Sequence, residues 1–304
     1  MKEKVSFNNA NIKMAGELYL PAGFDKSKKY TAIVCVHPGG GVKEQTVSIY
    51  AGKLAELGYV ALTFDASHQG ESEGVPRYLE DPSKRVEDVR CAVDYLVTLP
   101  FVDAERIGAL GVCAGGGYAV NAAQTESRIK AVAGVSSADI GGLFREGFGK
   151  TATSESKQAT LKAVADQRTA EAKGAEPMYV PWAPCSPEEI NENTPVLFSE
   201  AYDYYRTPRA QHPNSPNKML FVSIDRLMAF SAFGLINELL HKPLLLIAGS
   251  KADTLYYSLD AYALANEPKE LFIVEGATHI DMYDIPQYVS LAVEKLKEFY
   301  GKNL

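Results

Sequence analysis

Cysteine is scarce in this chain of 304 residues: four occur, at positions 35, 91, 113 and 185, and no two form a CxxC pair. Neither a disulfide framework nor a structural zinc site is therefore expected. Excess basic charge is missing too. Lys and Arg number 31 against 38 Asp and Glu, a net charge of −7, whereas proteins that grip phosphate backbones or anionic lipid concentrate cations. No stretch of about 18 apolar residues exists to span a bilayer, and Met1 to Val5 (MKEKV) lacks the apolar segment of a signal peptide. The expectation is a soluble, cytoplasmic protein with no nucleic-acid or membrane partner. Histidine is also rare, at five residues, which leaves few candidates for a catalytic base.

What is present is globular: 46% apolar and 23% charged residues, enough for a sizeable core. Val5 to Phe7 and Met14 to Leu20 read as an antiparallel opening pair. Apolar runs then recur at Thr31–Val36, Tyr59–Phe64, Arg106–Val112, Ile129–Val135, Pro243–Ala248 and Leu271–Val274, with helical text between them. Over Pro82–Thr98, Val86, Val89, Ala92, Val93 and Leu96 recur at three- and four-residue intervals on one face. This alternation predicts an α/β fold, a mostly parallel sheet of about eight strands flanked by helices. Residues 141–233 break the rhythm. Roughly ninety residues are too many for a structureless loop in a compact domain, so an ordered, mainly helical cap is expected there, inserted into a core of residues 1–140 and 234–304.

The chemistry centres on Gly111-Val112-Cys113-Ala114-Gly115, between a strand and a helix. It is a G-x-nucleophile-x-G elbow with Cys at the place of Ser, where small neighbours are needed because the central residue sits in a strained turn. Cys35 and Cys91, in a strand and on a helix, read as packed thiols. A nucleophile so placed is followed in chain order by an acid and then a His. His279, after the last strand, is the candidate base, and Asp253, after PLLLIA, the candidate acid. Asp281 and Asp284, close to His279, read as loop residues. Oxyanion donors are expected at the Ala114 N–H and at Gly39 or Gly40 in the loop His37-Pro38-Gly39-Gly40-Gly41; Pro38 has no N–H.

These blocks, HPGGGVKEQ, FDASHQGESEG, GVCAGGGYA, AGSKADT and EGATHIDMYD, resemble the α/β-hydrolase superfamily, and within it the dienelactone hydrolase-like group. The resemblance implies an α/β-hydrolase fold with Cys113, Asp253 and His279 as a triad. The inserted cap departs from dienelactone hydrolases proper, so their substrate does not carry over. As substrate contacts the reading names His37, His68, Arg77, Trp182 and Tyr205. Arg206 is a further cation to watch, and Glu44 a group that could hold the resting thiol. The cap aromatics Tyr179, Trp182, Phe198, Tyr202, Tyr204, Tyr205 and Phe221 could wall an acyl pocket or form the cap's own core.

The expected activity is hydrolysis of an ester, lactone or thioester of a small organic or acyl substrate through a covalent acyl-enzyme, without metal or cofactor. An acyltransferase on the same triad and a non-catalytic receptor on this fold are the alternatives. A homodimer is compatible with the sequence.

Overall fold

The computed structural model describes residues 1–304. Its main sheet has eight strands. β1 (Lys2–Asn9) and β2 (Ile12–Tyr19) form the antiparallel opening pair, followed by β3 (Tyr30–Val36), β4 (Val60–Phe64), β5 (Val102–Val112) and β6 (Ile129–Val135). The short strands β7 (Tyr179–Val180) and β8 (Met219–Leu220) pair with each other away from it, and β9 (Leu244–Gly249) and β10 (Lys269–Val274) complete it. The order is β1-β2-β4-β3-β5-β6-β9-β10, antiparallel at the first two pairings and parallel from β4 onward. Strands buried on both faces read as continuous apolar runs, and β3, β4 and β9 are buried almost throughout.

The helices are α1 (Thr46–Glu56), α2 (Pro82–Thr98), α3 (Ala114–Thr125), α4 (Ile140–Glu146), α5 (Ser154–Ala172), α6 (Val196–Arg206), α7 (Ile224–Ala229), α8 (Ile236–Leu239), α9 (Leu255–Leu264), α10 (Asp281–Asp284) and α11 (Pro286–Asn303). The expected span of α2 matches residue for residue, because its ends are chemically marked. The Asp81 carboxylate accepts the Ser83 N–H at 3.1 Å, and Pro82 opens the first turn. Between β6 and β9 the chain is mainly helical. The β7–β8 pair went unread because two-residue strands carry no alternation.

Two apolar layers cover the sheet. Polar groups inside them tie the layers to the loops at the C-terminal edge of the strands. Arg85 of α2, 2% exposed, donates to the His37 carbonyl at 2.6 Å and lies 4.8 Å above the Tyr118 ring. Its Nε is 3.7 Å from the buried Glu80 carboxylate, which also accepts the Tyr118 hydroxyl at 2.8 Å. Lys43, 1% exposed, lies among Glu44 (2.6 Å), Asp65 (2.8 Å) and Glu71 (2.6 Å). Those three carboxylates converge as metal ligands would, and the Lys43 ammonium supplies the charge that a cation would bring.

Removing one member of a buried ion pair strands the other. Arg85→Met should therefore lower unfolding free energy by about 3–5 kcal/mol, read as a fall in the urea midpoint at unchanged m-value. A midpoint within experimental error of wild type would show that Glu80 is satisfied without the guanidinium.

Candidate active site

The strand ends Val36, Val112, Val135, Gly249 and Val274 bring their following loops together at one edge of the sheet, the usual site of ligand binding in α/β proteins. Cys113 stands between β5 and α3 with φ 57° and ψ −126°. A non-glycine residue held there costs about 1–3 kcal/mol and persists only where the surroundings impose it. They do so here: its N–H donates to Val135 O (3.0 Å), and its carbonyl accepts Gly116 N–H (2.9 Å) and Ala138 N–H (3.0 Å). A Cβ on Gly111 would meet the Gly115 backbone, and one on Gly115 the Val36 and His37 carbonyls. The elbow closes only with glycine at both places.

Gly39, Ala114 and Tyr283 line the same pocket as Cys113, and the Tyr283 hydroxyl and the Ala114 and Gly39 amides act against the rise that burial gives its thiol. Gly40 has another task. With φ +69° it forms the corner of the turn closed by Gly41 N–H to Pro38 O (3.2 Å), and its carbonyl accepts the Ser215 hydroxyl at 2.6 Å.

His279, 1% exposed, has its Nε2 3.3 Å from the Tyr283 hydroxyl and its Nδ1 2.6 Å from Thr254 Oγ1. With Nε2 accepting from the phenol, Nδ1–H donates to Thr254. The expected acid lies elsewhere. Asp253 Oδ2 accepts the Leu197 N–H at 3.0 Å, at the first turn of α6, and its Oδ1 is buried without a hydrogen-bond partner. No carboxylate therefore sits on the imidazole, and burial alone pushes His279 down to about 3. Burial likewise raises the Cys113 thiol.

An apolar pocket of about 70 Å³ opens at Cys113, walled by Ile140, Leu143, Trp182, Leu197, Phe198 and Tyr205. The Trp182 indole lies over Gly39 and Gly40. Its Nε1 and the Tyr205 hydroxyl are buried without hydrogen-bond partners. The aromatics of residues 141–233 divide between the pocket and the packing beside it. Trp182, Phe198 and Tyr205 wall the pocket, whereas Tyr204 packs edge-on against Tyr283 at 5.1 Å and Tyr179 against Tyr78 at 6.0 Å.

The other expected contacts are engaged away from the pocket. His37 is neutral, with Nε2 accepting the Ala66 N–H (3.0 Å) and Nδ1–H donating to Pro38 O (2.7 Å). Burial first, and the Arg85 charge second, hold it far below the usual imidazole range. His68 Nδ1 contacts Pro76 O at 2.9 Å, and Arg77 donates to the Ser72 and Gly70 carbonyls at 2.5 and 2.6 Å. Glu44 faces Lys43 and not the thiol. Asp281 accepts the Thr278 N–H (3.1 Å), Asp284 pairs with Arg209 (2.6 Å), and Arg206 lines a separate open cleft with Gln211 and His212. Tyr283 and Thr254 were not anticipated. The available signal was position: Tyr283 follows His279 by four residues, one helical turn, and Thr254 adjoins Asp253.

Residues 15–138 match the model of the dienelactone hydrolase family. The uncharacterized protein YcjY of Escherichia coli (strain K12) is 42% identical over 309 residues, with all of both chains covered. The crystal structure of a hypothetical protein, PA2218 of Pseudomonas aeruginosa, superposes with a TM-score of 0.93 at 37% identity, covering 100% of this chain and 94% of that one. The α/β-hydrolase GrgF from Penicillium sp. sh18 shares the fold, with a TM-score of 0.82 at 20% identity over 100% of this chain and 99% of that one. With its strained elbow at the edge of a mostly parallel eight-stranded sheet, the chain has the α/β-hydrolase fold, and residues 15–138 of it are similar to the dienelactone hydrolase family.

Proposed function

We propose that the protein hydrolyses an ester, lactone or thioester with an uncharged, largely apolar acyl group, using Cys113 as nucleophile and His279 as base. The observation that carries this reading is the strained Cys113 elbow opening on an apolar pocket that Gly39 and Ala114, whose amides are the oxyanion donors, also line. In the first step the thiol proton passes to the imidazole, and the thiolate forms a bond to the carbonyl carbon. The carbonyl π electrons move to the oxygen, which the two amides stabilise in a site walled from water. Collapse of this intermediate breaks the bond to the alcohol or thiol, which leaves with the proton held by His279. Water, deprotonated by the same imidazole, then attacks the thioester and releases acid and free Cys113. Thr254 holds the imidazole by its Nδ1–H, the orienting role that the sequence assigned to Asp253. Asp253 acts one residue away by fastening α6, whose Leu197, Phe198 and Tyr205 wall the pocket. Residues 141–233, which carry α6, then serve as the cap over the acyl group.

Burst kinetics with p-nitrophenyl butyrate test the assignment. Cys113→Ala and His279→Ala should each abolish the burst, and an acyl adduct on Cys113 should appear by mass spectrometry only in wild type. Thr254→Val should lower kcat by about 10- to 100-fold, the order expected when a general base loses its orientation. Asp253→Asn should act more on KM and thermal stability. A kcat loss larger for Asp253→Asn than for Thr254→Val would return the orienting role to the carboxylate.

The low-lying His279 and raised thiol make the resting pair an imidazole and a thiol, not an ion pair. Because thiolate is the nucleophile, alkylation of Cys113 by iodoacetamide should climb steadily with pH, with no acid-side plateau between about pH 5 and 8. A plateau in that window would show that thiolate and imidazolium pre-exist.

A further inference from the structure

We propose that Trp182 and Tyr205 form a polar subsite that selects acyl groups carrying one uncharged oxygen, a hydroxyl or a ketone, close to the scissile carbonyl. The inference rests on the reading of the Cys113 pocket as an acyl site and narrows the acyl groups it takes. Trp182 Nε1 and the Tyr205 hydroxyl are both buried without a hydrogen-bond partner. Both residues line the apolar pocket at Cys113 and also a chamber of about 10 Å³ beside it, which they share with Gly39, Gly40, Ser215 and Asn217. Buried polar side-chain atoms in folded proteins are nearly always paired. Two unpaired ones in the wall of a ligand pocket call for a group that the ligand brings.

The other polar side chains around the chamber are already engaged. Ser215, 3% exposed, donates its hydroxyl to the Gly40 carbonyl at 2.6 Å. Asn217 Oδ1 accepts the Trp182 and Ala183 N–H groups at 3.0 and 2.9 Å, and its Nδ2 donates to the Ala183 carbonyl at 2.9 Å. These bonds fix the backbone from which the indole projects. Its pyrrole edge rests on Gly40, where a Cβ would come within 2.8 Å of Nε1, so a residue without a side chain is needed to admit it. The adjoining Gly39 is the proposed oxyanion donor. Successive Cα atoms are about 3.8 Å apart, which places a group that meets Nε1 within a few bonds of the reacting carbonyl.

Size and charge define that group. The chamber has about the volume that one water molecule needs, which limits the group to a single oxygen with its hydrogen. Such an oxygen has two lone pairs, one to accept the indole N–H and one to accept the Tyr205 O–H. The indole can only donate, so an ammonium is refused. No Lys, Arg or His lines either space, and a carboxylate would be buried without a counter-charge. His279 is absent from the chamber wall, which separates this oxygen from the water that attacks the acyl-enzyme. A plain acyl chain leaves both donors unpaired. Sites built to hydrogen-bond a ligand reject analogues lacking the partner far more strongly than apolar pockets reject a changed chain length.

Trp182 is the only tryptophan in the chain, so its emission reports the subsite directly. The test titrates the wild-type protein with hydrolysis-resistant N-ethyl amides of pentanoic acid and of its derivatives bearing a hydroxyl or a ketone at the second, third or fourth carbon. At least one oxygenated amide should bind about 10- to 100-fold more tightly than the plain amide and move the indole emission to longer wavelength, as hydrogen bonding at Nε1 does. Tyr205→Phe, followed by the same emission, and Trp182→Phe, followed by calorimetry, should each lower that ratio by about 10-fold. A ratio between two ligands in one variant cancels any general loosening of the pocket. Affinities within about threefold across the whole series, or a preference that survives Trp182→Phe, would overturn the subsite. An acyl adduct on Cys113 from p-nitrophenyl pentanoate alongside such level affinities removes the subsite alone. If neither this ester nor its oxygenated analogues leave an adduct on wild-type Cys113, the acyl-site reading falls, and the subsite with it.

Discussion

The carbonyl of His37 is the point on which the site depends. Arg85 donates to it at 2.6 Å, and the first turn of α3 approaches so closely that Gly115 has no room for a side chain. One peptide group thereby sets the glycine loop, the elbow and α2 against each other. The loop carries Gly39 and α3 begins at Ala114, both lining the pocket beside Cys113, so a buried charge holds these two stretches against each other. Burying a guanidinium is expensive unless its partners are complete. Glu80, the His37 carbonyl and the Tyr118 face complete them here. Such a frame suits the proposed oxyanion donors, which would await a developing charge without reorganising.

Within that frame the side chains that meet His279 are neutral. Hydroxyls of Tyr283 and Thr254 occupy both nitrogens of His279, and no carboxylate contacts the imidazole. A buried carboxylate would stabilise imidazolium and with it the thiolate. Its absence leaves the resting thiol protonated, and protection from oxidation follows, since susceptibility tracks thiolate character and exposure. In this reading charge appears only when a substrate carbonyl is present to receive it.

The parts legible in sequence were those that local chemistry imposes. The elbow could be read because a strained turn between strand and helix admits few residues, and β3 to β6 because strands buried on both faces stay apolar. α2 announced its own ends through Asp81 and Pro82. The partners of His279 were not legible, because hydrogen-bond pairing at a loop cluster is decided by a few ångströms of loop path. Asp253 and Thr254 are neighbours in the chain, and which of them meets Nδ1 depends on where α6 docks. His37 misled for a related reason. A histidine opening the glycine loop looks available for ligand, yet Ala66 and Pro38 use both of its nitrogens. Arg85 stood unnoticed in an amphipathic helix, because periodicity reveals which face is buried but not that a charge on that face is paired.

The Asp253 contact ties the pocket wall to the loop that holds the imidazole. Its Oδ2 accepts the Leu197 amide, and the next residue, Thr254, meets His279 Nδ1. The helix that brings Leu197, Phe198 and Tyr205 to the pocket and the hydroxyl on the imidazole are therefore anchored at two successive residues of one loop. A shift of α6 reaches that loop through a single hydrogen bond, so under the proposed reading the fit of a ligand against Leu197 and Phe198 and the orientation of His279 are not independently adjustable.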